Sequence, residues 1–542
     1  MKCTCTKCGK KWEAEELCFD LSEIVVDQLG QLLRAANESD SAEMTMDDSV
    51  IERALDKLRS NWKRDHKHAA MFSGKELSAM LQDVSGSGDG TEKLLVLGRD
   101  EWRERLEARI PYMGEQEKRE SRFILPSGDG IAGIDYNSNR ENLLSRHVVV
   151  DYRTGGLASI RFSGTDIMID KRYCPGCGNE MSSMAGRYPE IVMTVIGGPR
   201  ANKSTALAAC LSCFIEHPEY RIQMDGMGDA GWGSFDRDYL KEYQRNRKVA
   251  PTQTESNQIP RFSVRITITD HNGTRKSLVL TVVDLPGEFD VRTGEENGDI
   301  SPDIIRDYAD LYENVDFVWY CTDKVELDQI DIADAEDIRE AHGYEERHRL
   351  LDVHQRCRKL EKYGHLFNKN VAALLLLGKS DTLVMQRNDP ELFSTEGDCT
   401  GIIDAMGTFG VKLNGQFSPY LNQRDYWDRT YALRQYMMRR NPALINAFED
   451  AFPNHSYVVT SNYGHNFLGE GINMPRSPYM TGVPLLWMLA VAGYLDVGIG
   501  TDFTNSEEEH TVWENLCMTR GAFQAQGGNE RNRSLLGRIR GR

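Results

Sequence analysis

The chain has 542 residues, with 83 Asp and Glu against 65 Lys and Arg, a formal net charge of −18. Hydrophobic residues make up 40% and charged residues 27%, an ordinary globular balance that excludes wholly disordered, collagen-like and coiled-coil chains. The acidic excess argues against nucleic acid or anionic membrane as a ligand of the whole surface, and at roughly 150 residues per domain the length predicts three or four domains.

No run reaches the roughly 18 unbroken apolar residues of a membrane span; the best candidate, 483–495, is too short and contains Pro484. The N-terminus has no apolar stretch resembling a signal peptide, so a cytoplasmic location is expected. In that reducing compartment the twelve cysteines are expected to be thiols or metal ligands rather than disulfides.

Cysteines open the chain at Cys3, Cys5, Cys8 and Cys18. A second pair stands far downstream in Cys174-Pro175-Gly176-Cys177-Gly178 and matches Cys5-Thr6-Lys7-Cys8-Gly9. Each is a Cys-x-x-Cys-Gly unit whose Gly permits the tight turn that aims two sulfurs at one metal. Four thiolates, Cys5, Cys8, Cys174 and Cys177, make a closed tetrahedral zinc site, structural rather than catalytic. The pairs resemble a zinc ribbon split by an insertion, with halves at 1–14 and 170–186 and an inserted α+β module at 15–169; a ribbon tolerates this if the insert's ends lie close together. A local site from Cys3, Cys5, Cys8 and Cys18 is the alternative.

Within the insert, 21–36 and 49–84 carry apolar residues at helical spacing. A Ser/Gly break follows at 85–90. Runs 147–152 and 158–162 flank Thr154-Gly155-Gly156 and predict a hairpin. No chemistry is legible there.

From about residue 188 the texture changes. Residues 191–196 predict a buried strand, then come a Gly-rich turn and a helix over 204–216. Runs 262–269 and 277–284 alternate like strands around Asn272-Gly273, a hairpin signal. Buried strands are predicted at 315–320, 371–377 and 457–460, and a closing helix at 484–495. A helical insertion is expected around 382–450. Strands alternating with helices predict an α/β domain over 187–500 with a mostly parallel sheet and one antiparallel edge. Residues 501–542 read as a basic, disordered extension. Its Arg531, Arg533, Arg538, Arg540 and Arg542 would contact RNA, an acidic partner or lipid, or serve only solubility.

After the first of these strands stands Gly197-Gly198-Pro199-Arg200-Ala201-Asn202-Lys203-Ser204-Thr205. It approximates the phosphate-binding pattern G-x-x-x-x-G-K-[ST] in strand–loop–helix context. Phosphates need inward-pointing backbone N–H groups and the positive end of a helix. Lys203 would reach the β- and γ-phosphates, and the Ser204 hydroxyl would hold Mg²⁺. Asn202 replaces the second Gly at little conformational cost. Arg200 would touch phosphate or stand in solvent. An ordinary Gly-rich turn with an exposed Lys would look similar.

Downstream, an apolar strand ends in Asp284-Leu285-Pro286-Gly287-Glu288. The Asp284 carboxylate would organise Mg²⁺, and Gly287 would bring a backbone N–H to the γ-phosphate. Another strand runs into Gly378-Lys379-Ser380-Asp381. Asp381 would accept from guanine N1–H and its exocyclic amine, a donor pair adenine lacks, while the Lys379 stem packs on the base. Alone, either motif also reads as a plain turn. Last, Thr460-Ser461-Asn462 ends a strand with small residues suited to backbone contact with a base through Ser461 and Asn462.

In this order, at strand C-termini, these motifs resemble a P-loop GTPase of the translation-factor-related class, with N-K-x-D relaxed to Gly378-Lys379-Ser380-Asp381. More narrowly they are similar to the predicted bacterial double-GTPase proteins of conflict and signalling systems. The resemblance implies a three-layer fold, binding of GTP or GDP with Mg²⁺, and hydrolysis that drives two switch segments. The first switch would supply a Thr, here Thr252 or Thr254; the second begins at Gly287. Glu288 stands where related proteins place a water-orienting Gln and would repel the γ-phosphate, implying slow turnover or a partner that supplies an Arg. The implied partner is a protein effector or a second GTPase. A P-loop ATPase and a non-hydrolysing nucleotide-binding scaffold are the alternatives.

Overall fold

The computed structural model describes residues 2–21, 71–83, 92–96, 145–153, 156–163, 168–197, 203–226, 229–245, 247, 261–270, 273–284, 311–323, 327, 353–378, 409–413, 416–463, 478 and 480–498. The chain divides into two compact units, 1–188 and 189–542.

In the first unit, β1 (Lys2–Thr4) pairs antiparallel with β2 (Lys11–Glu13), placing Cys3 opposite Trp12. β3 (Cys18–Asp20) pairs with β4 (Met71–Ser73) and exchanges backbone hydrogen bonds with Tyr173 at 3.0 and 2.8 Å. The helix expected over 49–84 is corrected at its described end. Residues 71–73 and 81–83 are strands, and only α1 (Gly74–Met80) is helical. A capping box sets its start, with Glu76 N–H donating to Ser73 Oγ at 3.1 Å and Ser73 N–H to the Glu76 carboxylate at 2.7 Å. An antiparallel sheet follows in the order β5 (Leu81–Asp83), β6 (Glu92–Val96), β7 (Ser145–Arg153), β8 (Gly156–Phe162) and β9 (Met168–Ile169). The expected hairpin is its β7–β8 pair.

The second unit opens with β10 (Glu190–Gly197) and α2 (Lys203–Glu216). Then come β11 (Ile222–Asp225), α3 (Ala230–Phe235), a π-helical turn at Asp236–Leu240 and α4 (Lys241–Gln244). β12 (Arg261–Thr269), β13 (Arg275–Asp284), β14 (Phe317–Asp323), α5 (Val353–Leu366) and β15 (Ala372–Gly378) follow. The seventh strand of the sheet, β18 (Asn454–Val459), comes later in the chain.

The sheet order is β11-β12-β13-β10-β14-β15-β18. β13, β10, β14, β15 and β18 run parallel, and β12 alone runs against both neighbours. The reversed strand was expected at the edge; it lies second, because the unforeseen β11 adds outside it. Arg221, in a left-handed conformation at φ 59°, turns the chain into that short strand. β10 is buried along nearly its whole length, the continuous apolar run of a strand covered on both faces.

Between β15 and β18 lie β16 (Phe409–Leu413), β17 (Gln416–Asn422), α6 (Gln423–Arg440) and α7 (Pro442–Ala451). The insertion expected to be helical over 382–450 is therefore strand at 409–413 and 416–422 and helical from 423. β16 and β17 join β19 (Asp496–Gly498) in a small second sheet. α8 (Val483–Val491) stops short of the expected residue 495 because Gly493 turns left-handed at φ 78° and Tyr494 N–H returns to Leu489 O at 2.8 Å, a Gly-terminated helix end.

Helices cover both faces of the large sheet. Phe317 and Tyr320, an odd number of residues apart on β14, emerge on opposite faces. Phe317 meets Trp487 of α8 and Tyr320 meets Phe448 of α7, each with ring centroids 5.9 Å apart. α5 and α7 approach closely at Gly364, where a Cβ would lie 2.8 Å from Ala451 Cα.

Candidate functional site

Two separate constellations emerge. In the first unit, the Cys5–Gly9 and Cys174–Gly178 segments fold into the same turn. Gly9 N–H donates to Cys5 O and Gly178 N–H to Cys174 O, both at 2.9 Å. Cys5 N–H donates to Lys10 O and Cys174 N–H to Asn179 O, again at 2.9 Å. Gly9 and Gly178 are left-handed, at φ 74° and 67°, where a side chain would be strained. The two turns face each other, so all four sulfurs lie within 4.8 Å of one another.

Cys5–Cys177 and Cys8–Cys174 are each separated by 3.7 Å. That is far beyond the roughly 2.05 Å of a disulfide. A tetrahedron with metal–sulfur bonds of about 2.3 Å has edges of about 3.8 Å, so the set fits a Cys₄ zinc site. Hydrogen bonding by the Cys5 thiol pulls the Cys174 thiol down to about 5, and burial pushes Cys8 up to about 11. Four crowded sulfurs do not ionise together without a cation to balance them. Cys3, Leu17, Met181 and Ala185 pack around the cluster, with Trp12 beside them. Among the described residues, Cys3 and Cys18 are not part of it.

In the second unit, the candidate residues stand along one end of the parallel strands. Gly197 ends β10 beside Cys321 of β14. Its φ is 144°, and a Cβ there would sit 2.3 Å from Cys321 O, so only Gly fits. From the first turn of α2, Lys203 folds back and its Nζ donates to Gly197 O at 2.9 Å. The ammonium thus bridges the two ends of the connection 198–202. Lys203, Ser204 and Thr205 are all buried. Asp284 is the last residue of β13 and pairs with Val195 of β10. Gly378 ends β15 opposite Asp323. Thr460 N–H donates to Leu377 O at 2.9 Å, which sets Thr460-Ser461-Asn462 beside the start of Gly378-Lys379-Ser380-Asp381. All three residues are buried.

Gly198, Arg200, Asn202, Thr252, Thr254, Gly287, Glu288, Lys379 and Asp381 lie outside the described residues, as does 501–542. Cys210 and Cys213 of α2 are respectively buried and half-buried. Burial raises both, Cys213 to about 11.

Two features carry no signal in the sequence. Tyr243 of α4 donates its hydroxyl to the Asn462 carbonyl, and Tyr463 donates to Arg247 O at 3.3 Å. Beyond β18, Arg434 of α6 makes a forked pair with Glu449 of α7 at 2.6 and 3.0 Å. Tyr457 of β18 donates to the same carboxylate at 2.7 Å, and His455 Nε2 lies 3.7 Å away. Burial alone would raise Glu449, but the hydrogen bonds from Arg434 and Tyr457 hold it below the usual carboxylate range. Burial keeps His455 low and neutral. Thr430 of α6 donates to Tyr457 O at 3.1 Å, satisfying a carbonyl on an edge strand. The group locks α6 and α7 to the sheet edge.

No family model matches the chain, and no curated protein matches it. Among solved structures, one likeness is to the crystal structure of the S. cerevisiae Ski7 GTPase-like domain bound to GDP and inorganic phosphate. Identity is 14% and the TM-score 0.23, covering 56% of this chain and 49% of that one. This chain thus spans about half of that chain's length, and a likeness so slight assigns no function. No helix among the described residues is long and apolar enough to cross a membrane.

Proposed function

We propose that the second unit is a P-loop GTPase that binds GTP with Mg²⁺ and hydrolyses it to reset switch segments acting on a protein effector or a second GTPase. The observation that carries the reading is the alignment of Gly197, Asp284, Gly378 and Thr460 at one end of a parallel sheet, with Lys203 reaching back from the helix that follows β10 to the Gly197 carbonyl. Ligands of open α/β sheets bind at that end. The residues fit a phosphate in one respect: the buried Lys203 ammonium stands at the C-terminal end of β10, hydrogen-bonded to Gly197 O.

In this reading Lys203, with the N–H groups of Gly198 to Thr205 and the Arg200 side chain, holds the phosphates. Asn202 supplies the loop's tight turn. Ser204 and Asp284 would hold Mg²⁺, which when bound neutralises charge developing on the phosphate oxygens. Thr252 or Thr254 and Gly287 sense the γ-phosphate, and Glu288 takes the water-facing position. Lys379, Asp381, Ser461 and Asn462 surround the base. Asn202 and Glu288, both departures from the usual pattern, favour slow turnover and keep a nucleotide-binding scaffold as the second reading. We further propose that Cys5, Cys8, Cys174 and Cys177 hold a structural Zn²⁺, on the sulfur spacing above.

Phosphate release by the Lys203→Ala variant of the full chain tests the enzymatic reading. Turnover should vanish. Unchanged turnover would mean that the activity belongs to another site or to a contaminant, and binding without turnover in the wild type would favour the scaffold.

A further inference from the structure

A helix that widens for a single turn is uncommon, and such turns gather at functional sites. Here α3, the π-helical turn at Asp236–Leu240 and α4 follow one another without a break. Lys241 N–H reaches back five residues to Asp236 O, and its ammonium meets the Asp236 carboxylate at 2.6 Å. That pair is open to solvent and holds the turn only weakly. The buried side chains explain the wide turn better. Phe235, Leu240 and Tyr243 are all buried, at spacings of five and three. In an unbroken α-helix, five residues would set Leu240 about 140° around from Phe235. The wide turn absorbs that offset, so Leu240 and Tyr243 enter the core after Phe235, whose ring stacks on Phe262 of β12 with centroids 4.4 Å apart.

Past the π turn, the helix is fastened twice to the segment that follows β18. Tyr243 donates its hydroxyl to Asn462 O, and Tyr463 donates back to Arg247 O, just beyond α4, at 3.3 Å. The two rings pack with centroids 5.4 Å apart. Each tyrosine thus secures the backbone of the other's segment. The segment after β18 is also bonded to the sheet, from Thr460 N–H to Leu377 O at 2.9 Å.

We propose that the π-helical turn and the Tyr243–Tyr463 clasp form a strap that sets how long nucleotide stays at the strand-end rim. This deepens the nucleotide-binding reading and rests on it. Tyr243 and Tyr463 are positioning residues, acting through the backbone of 460–462. Closed, the strap presents that segment ready-made, so binding does not have to order it. Opened, the segment loses two of its fastenings and nucleotide leaves faster. Opening and closing of such elements sets the release rate in many enzymes. In sequence, α4 leads toward Thr252 and Thr254, so the strap ties the rim to the chain of the first switch.

The test is the dissociation rate of a fluorescent GDP analogue from the full-length, zinc-replete protein in Mg²⁺, chased with unlabelled GDP. Tyr243→Phe, which removes only the hydroxyl, should speed dissociation about fivefold, the worth of one net hydrogen bond, and leave association unchanged. Tyr463→Phe should act in the same direction and less, and it keeps the test open if Tyr243→Phe does not fold. The double variant should fall short of the product of the two effects, since either loss already loosens the strap. Deleting Asp238, which closes the wide turn and rotates Tyr243 by about 100°, should speed dissociation at least as much as Tyr243→Phe. In the nucleotide-free protein, amide exchange at Thr460 should accelerate in the same variants. Gly364→Ala, which presses on Ala451 elsewhere in the fold, is the control for lost stability and should leave dissociation unchanged. Dissociation that stays fixed in both tyrosine variants, or that rises equally in Gly364→Ala, overturns the strap and leaves nucleotide binding standing. A wild type that binds no nucleotide overturns it together with the function on which it rests.

Discussion

The two candidate sites differ in how they are built. The four-cysteine site is made from two copies of one local turn, each completed within six residues by its own backbone hydrogen bonds and a left-handed Gly. Only the meeting of the two turns, some 170 positions apart in the chain, is a tertiary event. The strand-end site has no such local completeness. Gly197, Asp284, Gly378 and Thr460 acquire meaning only because a parallel sheet brings four strand ends into register. A closed site of the first kind is suited to holding structure, and an open rim of the second kind to binding and release. The comparison can be broken at either end.

The largest effect is expected from the metal. Structural zinc contributes on the order of 10 kcal/mol to the fold that holds it. Chelation should therefore release the two turns from each other. Amide hydrogen exchange at Gly9 and Gly178, whose N–H groups are bonded to the cysteine carbonyls, should accelerate many-fold; unchanged protection would show that packing around Leu17 and Met181 suffices.

Next comes the buried ion pair. Replacing Glu449 by Ala strands Arg434 and leaves the Tyr457 hydroxyl unanswered, at a cost of about 4 kcal/mol. Urea unfolding would show it as a lowered midpoint, and a change below about 1 kcal/mol would mean the pair is solvated.

At the strand ends, Gly197→Ala would force a Cβ into Cys321 O and strain a positive φ. We expect about 3 kcal/mol of destabilisation with disproportionate loss of nucleotide affinity. The matching Gly364→Ala change, pressed against Ala451 on α7, should lower stability and leave nucleotide affinity intact.

The smallest effect is a pH slope. His455 is held below its ordinary value of 6.5, and Glu449 below 4.5. In both cases the unfolded chain takes up the proton first as pH falls, so stability is full above about 6.5 and erodes below it, by about 1.4 kcal/mol per pH unit for each proton. Melting temperatures should fall in wild type between pH 7 and pH 4, and between pH 7 and pH 5 they should fall at least as much in Glu449→Ala, which removes the carboxylate that favours the charged imidazole.

Much of this architecture is legible in the chain because it is local. The cysteine turns announce themselves through Cys-x-x-Cys-Gly, and the central strands through apolar runs such as Ala372–Gly378. The reversed strand's neighbour, Ile222–Asp225, is too short to carry a period. Phe409–Leu413 and Gln416–Asn422 are strands because they pair with each other and β19, far downstream, pairs with Gln416–Asn422. The Tyr243–Asn462 bond spans 219 positions, and the Arg434–Glu449–Tyr457 group needs two helices and an edge strand to exist at all. No spacing rule on one segment reveals such contacts. The end of α8 at Gly493 was readable, since Gly stops helices, but the apolar run through Leu495 masked it.

The central claim is that the strand-end rim of the second unit binds a guanine nucleotide. Titration of the full-length, zinc-replete protein with fluorescent GTP, GDP and ATP analogues in Mg²⁺ tests it most directly, with the Asp381→Ala variant alongside. The account predicts saturable binding that favours guanine over adenine in the wild type and loses that preference in the variant. Equal affinity for ATP and GTP, or no nucleotide binding, would contradict it.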